Sequence, residues 1–229
     1  MTARALPPHH KTDLPPDAPP KRARGRPRKT EEERDDGNRR QQLLSAAARL
    51  FRRQGFDATS TRDIAAAVGM HSGSPFYHFK SKDALLFAVM QEGMCAAIAR
   101  QASALQGAGA ESMAGAAAPL VKIRRLISAH FDTLLGPGND FVPVMLYEQR
   151  ALSARQRASL AQLQAQYESA WTPVLEALHA SGQLRAPVKL SRLLILGALN
   201  WSVQWFDRKK GASLDELTDA AIALFLRAS

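Results

Sequence analysis

One cysteine, Cys95, stands among 229 residues, so the chain can form no internal disulfide and no multi-thiol zinc site. Its neighbours Met94, Ala96, Ala97 and Ile98 are apolar, and a buried, inert thiol is expected there. No run of about eighteen apolar residues occurs, which removes a membrane-spanning helix. Prolines and histidines break the N-terminus where a secretory signal would need an apolar core, so a cytoplasmic protein is expected. The recurrent catalytic signatures are missing too: there is no P-loop, no Rossmann glycine fingerprint, no His-Glu-x-x-His and no Gly-x-Ser-x-Gly. Of the six histidines only His9 and His10 are adjacent, and they lie in Pro-rich sequence. No metal site, no cofactor and no catalytic residue is therefore assigned. Strand-like alternation and internal repeats are absent as well, leaving helical periodicity as the one structural signal.

What the chain does have is positive charge, unevenly placed. Lys and Arg outnumber Asp and Glu by 31 to 21 overall, and by eight to three between positions 38 and 83. A phosphate-binding surface has that composition. Residues 1 to 20 contain six prolines and few apolar side chains, too little burial to offset the entropy of ordering, and disorder is expected. Six of the nine residues from Lys21 to Lys29 are cationic. At their centre, Arg24-Gly25-Arg26-Pro27 resembles the AT-hook, whose arginines enter the narrow minor groove of A·T-rich DNA. A nonspecific basic arm is the alternative reading. Residues 1–37 are assigned to this arm, acidic residues Glu31 to Asp36 included.

From Asn38 the pattern becomes helical, with Leu43, Leu44, Ala47, Leu50 and Phe51 on one face. Gly55 suits a helix C-cap with Phe56 folding back on it, and Ser60 with Asp63 forms a capping box for a helix from Thr61 to Val68. A turn at Gly69-Met70-His71 precedes a short helix from Ser72 to His78. A long fourth helix is expected from Lys82 to about Gln106, then helices over 116–135, 141–151 and 153–180, the last interrupted by Pro173. Two more follow at 191–209, apolar on nearly every face, and at 214–226, behind a Ser213–Glu216 capping box. The expectation is an all-α chain of about nine helices.

Gly55-Phe56, Ser60-Thr61-Arg62-Asp63-Ile64-Ala65, Val68-Gly69, Gly73-Ser74, Phe76-Tyr77-His78-Phe79 and Ser81-Lys82-Asp83-Ala84-Leu85 together resemble the TetR family of transcriptional regulators, in residue type and in order. The likeness covers Asn38 to Ala88. His71 and Pro75 depart from it, one replacing a small hydroxyl residue and the other an aliphatic one. The resemblance implies a three-helix helix-turn-helix DNA-binding domain at 38–84 and a larger helical domain at 85–229 for ligand binding and dimerisation. Residue by residue, it implies a DNA contact at Arg62, beside Thr61, and a phosphate contact at Lys82.

In the short helix, Ser72, Gly73 and Ser74 would let the backbone approach the major groove, with Phe76 available to a thymine methyl. Tyr77 and Phe79 would face the first two helices; a register one position over would turn a neighbouring aromatic to the groove instead. His78 fits either a neutral phosphate donor or a structural histidine. The partners implied are double-stranded DNA, a second copy of the chain and a small-molecule effector, a lipophilic or acyl-CoA-like ligand. No membrane partner is expected. Candidate effector contacts are Ile127, His130, Phe131, Tyr147, Trp171 and Asn200, the polar members standing out because polar groups on apolar faces need partners. The function expected is that of a ligand-relieved repressor; an architectural, low-specificity DNA-binding protein without an inducer is the alternative.

Overall fold

The computed structural model describes residues 31–70, 75–106, 118–207, 209 and 211–227. The predicted Arg24 and Arg26 arm, and Ser72, Gly73 and Ser74 of the turn helix, lie outside them, as does the side chain of Phe76. Among the described residues the chain is helical throughout. In order come α1 (Glu31–Gln54), α2 (Thr61–Ala67), α3 (Pro75–His78), α4 (Lys82–Gln106), α5 (Ala118–Leu135), α6 (Phe141–Glu148), α7 (Ala154–Ser169), α8 (Thr172–Ala180), α9 (Val188–Trp201) and α10 (Leu214–Phe225).

The first helix begins at Glu31, seven residues before the predicted start at Asn38, so the acidic residues assigned to the arm form its first turns instead. Leu43, Leu44, Ala47 and Phe51 are buried on one face. Gly55 then takes φ +82°, the left-handed conformation that costs a side-chain-bearing residue most, and its N–H closes on the Phe51 carbonyl at 2.9 Å. The chain turns back here, and the Phe56 ring packs 5.4 Å from that of Phe51. The capping box at α2 is formed: Ser60 Oγ accepts from the Asp63 N–H at 3.1 Å while Asp63 Oδ2 accepts from the Ser60 N–H at 2.8 Å.

Twenty-five residues of α4 make a rod about 37 Å long at 1.5 Å per residue. Its first half buries Leu85, Leu86, Val89 and Met90, and its second half Met94, Ala97 and Gln101. Cys95 is exposed, against the expectation of a buried thiol, because it sits on the outer side of this rod, opposite the buried Gly93 and Ala97.

Pro173 splits the predicted 153–180 helix outright. The break falls at Ala170 and Trp171, and Pro173 enters the first turn of α8, where its missing N–H breaks no intrahelical bond. That division makes ten α-helices among the described residues, where about nine were expected. The apolar helix predicted at 191–209 runs instead from Val188 to Trp201, because Pro187 supplies its start and a 3-10 turn at Ser202–Gln204 ends it. No described helix is long and apolar enough to cross a membrane.

Candidate nucleic-acid interface and effector chamber

At the N-terminal end, α2 exposes Arg62 and leaves Thr61 half-buried. Tyr77 is 82% exposed on α3 and His78 is half-buried, while Phe79 is core. Tyr77 therefore does not face α1 and α2 as expected; with Phe79 turned inward, the residue two positions earlier on a four-residue helix points outward. It meets His78 edge-on at 5.2 Å. Asp63, beside Arg62, is held below the usual carboxylate range by the Ser60 hydroxyl and N–H, which keeps it committed to the cap.

Lys82 has an additional role that sequence reasoning missed. Its Nζ donates to the carbonyls of Phe56 at 2.9 Å and Thr59 at 3.0 Å, and stands 4.1 Å from the centre of the Phe56 ring. These are the carbonyls of the loop between α1 and α2, so the ammonium pins that loop to the start of α4. A lysine following Ser81 was read only as a phosphate ligand, since nothing in the local sequence reveals a carbonyl pair twenty-three and twenty-six residues away.

The same loop is gripped from the other side. Glu148, at the end of α6, accepts from the Phe56 N–H at 3.1 Å, and Asp140, just before α6, pairs with Arg52 at 2.8 Å. Both ends of α6 thus hold the C-terminal end of α1.

Beneath α6 lies a chamber of about 70 Å³ lined by Met94 and Ala97 of α4, His130, Thr133 and Leu134 of α5, Val142 and Met145 of α6, Gln164, Tyr167 and Glu168 of α7, and Leu196 and Asn200 of α9. Apolar side chains share the wall with a buried polar chain. Tyr167 OH lies 2.8 Å from His130 Nδ1, and His130 Nε2 lies 3.2 Å from Asn200 Oδ1. With Nε2 protonated, the tyrosine donates to His130 and His130 donates to Asn200, satisfying all three. The chain continues behind: Gln101 donates to the Tyr167 carbonyl at 2.9 Å and accepts from Trp171 Nε1 at 2.8 Å. Burial pushes the His130 pKa down to about 4, partly opposed by Asn200, and pushes the Tyr167 phenol up. Both are neutral near pH 7.

Of the predicted effector residues, His130 and Asn200 come together on the chamber wall. Trp171 packs edge-on behind His130 at 5.9 Å; Ile127 and Phe131 are core side chains outside the lining. Tyr147 is half exposed and bonds the Gln204 amide, because it lies on the solvent side of α6, opposite the buried Met145. Gln164 and Glu168, also on the wall, were not among the expected contacts; the available signal was their four-residue spacing, which puts both on one side of α7.

The description "Bacterial regulatory proteins, tetR family" matches residues 43–89, and "Tetracyclin repressor-like, C-terminal domain" matches 116–229. The solved structure of "superantigen PfiT" is 36% identical with TM-score 0.67, covering 83% of this chain and 97% of that one. The HTH-type transcriptional repressor KstR2 of Rhodococcus jostii is 25% identical over 79% of this chain and 85% of its own. AibR in complex with isovaleryl coenzyme A and operator DNA is 23% identical, with TM-score 0.72 over 82% of this chain and 97% of that one, a likeness of fold. The chain belongs to the tetR family of regulatory proteins: it is a DNA-binding regulator and not an enzyme.

Proposed function

We propose that the chain is a homodimeric repressor, acting in the cytoplasm, that leaves a palindromic operator when a small lipophilic effector of the acyl-thioester type enters the chamber. The observation that carries this reading is that α4 and α6 each wall the chamber and each hold the DNA-binding end. Met94 and Ala97 share a helix with Lys82, while Val142 and Met145 lie between the Asp140 and Glu148 grips on α1. At about 70 Å³ the chamber holds a few waters and is well below the roughly 300–1,000 Å³ of ordinary ligand sites. An acyl group enters only if α6 or α9 moves outward, and that movement acts on α1 directly. A ligand favouring the expanded state thereby shifts the whole population.

Arg62, Thr61, Tyr77 and His78 are proposed as DNA contacts on the exposed end, with Ser72, Gly73, Ser74 and Phe76 as groove readers and Arg24 and Arg26 as a minor-groove anchor. Lys82 would add a phosphate contact to its loop-pinning role. Repression is the sign carried by the name of the KstR2 relative, and a coenzyme A thioester is the ligand in the AibR complex; a chamber of apolar side chains with a buried polar chain among them supports an effector of that class. Genome-wide mapping of bound DNA supplies the operator. Electrophoretic shifts on that operator should then weaken on titration with short- to long-chain acyl-CoA. Release by none of them would overturn the effector, and steeply salt-dependent binding without sequence preference would favour an architectural protein.

A further inference from the structure

Arg192, Leu196 and Asn200 stand at four-residue intervals on α9 and so share one side of that helix. Leu196 and Asn200 line the chamber, and the Arg192 Cα lies about 12 Å along the axis from that of Asn200. The guanidinium meets Glu168, also a lining residue, at 3.4 Å through Nη2, and donates to Thr172 Oγ1 at 2.8 Å through Nη1. Its Nε–H is buried and has no hydrogen-bond partner among the described residues. A buried donor on a charged group without an acceptor is costly and rare in folded proteins.

The Glu168 carboxylate has no such deficit. One oxygen accepts from Gln164 at 3.2 Å and the other faces Arg192. The unmet demand at this end of the chamber is therefore for an acceptor, and a cation would find the carboxylate already engaged. The two ends differ accordingly: a neutral His130–Asn200 pair lies inside, and a guanidinium with spare donor capacity lies one turn of α9 beyond Leu196.

We infer that the effector is an apolar-bodied molecule with an oxyanion, carboxylate or phosphate, at one end, and that Arg192 is the anchor of that oxyanion, drawing it away from Glu168. The inference rests on the chamber being the effector site and adds the polarity and orientation of what it takes. The planar guanidinium can meet an oxyanion through two parallel N–H groups, which an alcohol of equal length cannot exploit.

The test is calorimetric titration of the full chain with decanoic acid, decanoyl coenzyme A and 1-decanol, repeated on Arg192→Met and Arg192→Lys, with thermal melts to confirm folding. In the wild type at least one charged probe is expected to bind ten-fold or more tightly than decanol; whether acid or thioester leads identifies the head group as carboxylate or phosphate. Arg192→Met should bring that probe to the affinity of decanol and leave decanol unchanged, and Arg192→Lys should fall between. If the methionine variant does not fold, the lysine variant carries the test through its selective loss for the charged probe. Equal binding of charged and neutral probes by the wild type, or a preference surviving in both variants, overturns the anchor while leaving the chamber as the effector site. Failure of all three probes to bind overturns both.

Discussion

Burial in the fold changes the chemistry of His130. Its pKa falls from 6.5 to about 4 because burial disfavours the imidazolium. The unfolded chain thus binds a proton between those values while the folded chain does not, and stability rises with pH across that window. Acidification from pH 6.5 towards 4 should cost roughly 3 kcal/mol from this group, at 1.36 kcal/mol per unit, with little further change from it below 4. Chemical denaturation at several pH values checks this, and His130→Gln should flatten that part of the profile. The two cations of the DNA-binding end should separate in the same assay. Arg62 is exposed and not tied down by any described backbone carbonyl, so Arg62→Ala should weaken operator binding with stability unchanged within about 0.5 kcal/mol. Lys82→Ala removes the donor to the Phe56 and Thr59 carbonyls and should lower stability as well, by about 1–3 kcal/mol for hydrogen bonds from a charged group.

Among elements, α6 is seated closely against α4, and Gly93 is the reason. A Cβ there would stand 2.8 Å from Phe141 Cβ and 3.2 Å from the Phe141 carbonyl carbon, so α4 and the start of α6 touch backbone to backbone. Gly93→Ala would gain about 1 kcal/mol of helix propensity, against about 1–3 kcal/mol for overpacking. Because the clash is with Cβ and main chain, no rotamer relieves it, and overpacking should win. The expected outcome is a lower melting temperature and weaker operator binding, as α6 is pushed off the Asp140 and Glu148 grips; a higher melting temperature would show that the crossing has slack. This contact illustrates what sequence carries and what it does not. The Ser60 and Ser213 caps, the stop at Gly55 and the long α4 were legible because each depends on neighbours within a few residues. The split at Trp171 was half legible, since Pro173 signals a break but not whether it is a kink or a gap. Grips such as Glu148 on Phe56, and the Tyr167–His130–Asn200 chain, join residues 37 to 92 positions apart. No local pattern encodes which helix faces will meet.

For the whole molecule the open question is what covers α9. One side of that helix buries Ile195, Leu196 and Leu199 in the chain's own core, while Leu190, Leu193, Leu194 and Trp201 are exposed. Leu224 of α10 is 77% exposed, and the chain between these helices adds Trp205 at 58%. Leu194 and Leu224 also line one groove between α9 and α10, so the exposed apolar surfaces of the two helices meet there. Contiguous patches of this kind are unusual on a soluble monomer and mark interaction sites. A second copy related by two-fold symmetry would place the same patch on both sides and set two recognition helices on successive half-sites of an operator. The double variant Leu194→Glu with Leu224→Glu removes no buried core side chain, and should sediment as a folded monomer at micromolar concentration where the wild type sediments as a dimer. Its operator binding should change in a particular way. With half the phosphate contacts, the slope of log affinity against log salt should fall to about half the wild-type value, because each half-site is held by one chain. A wild type already monomeric at that concentration, or a variant that keeps the full salt slope, would assign this face some other partner.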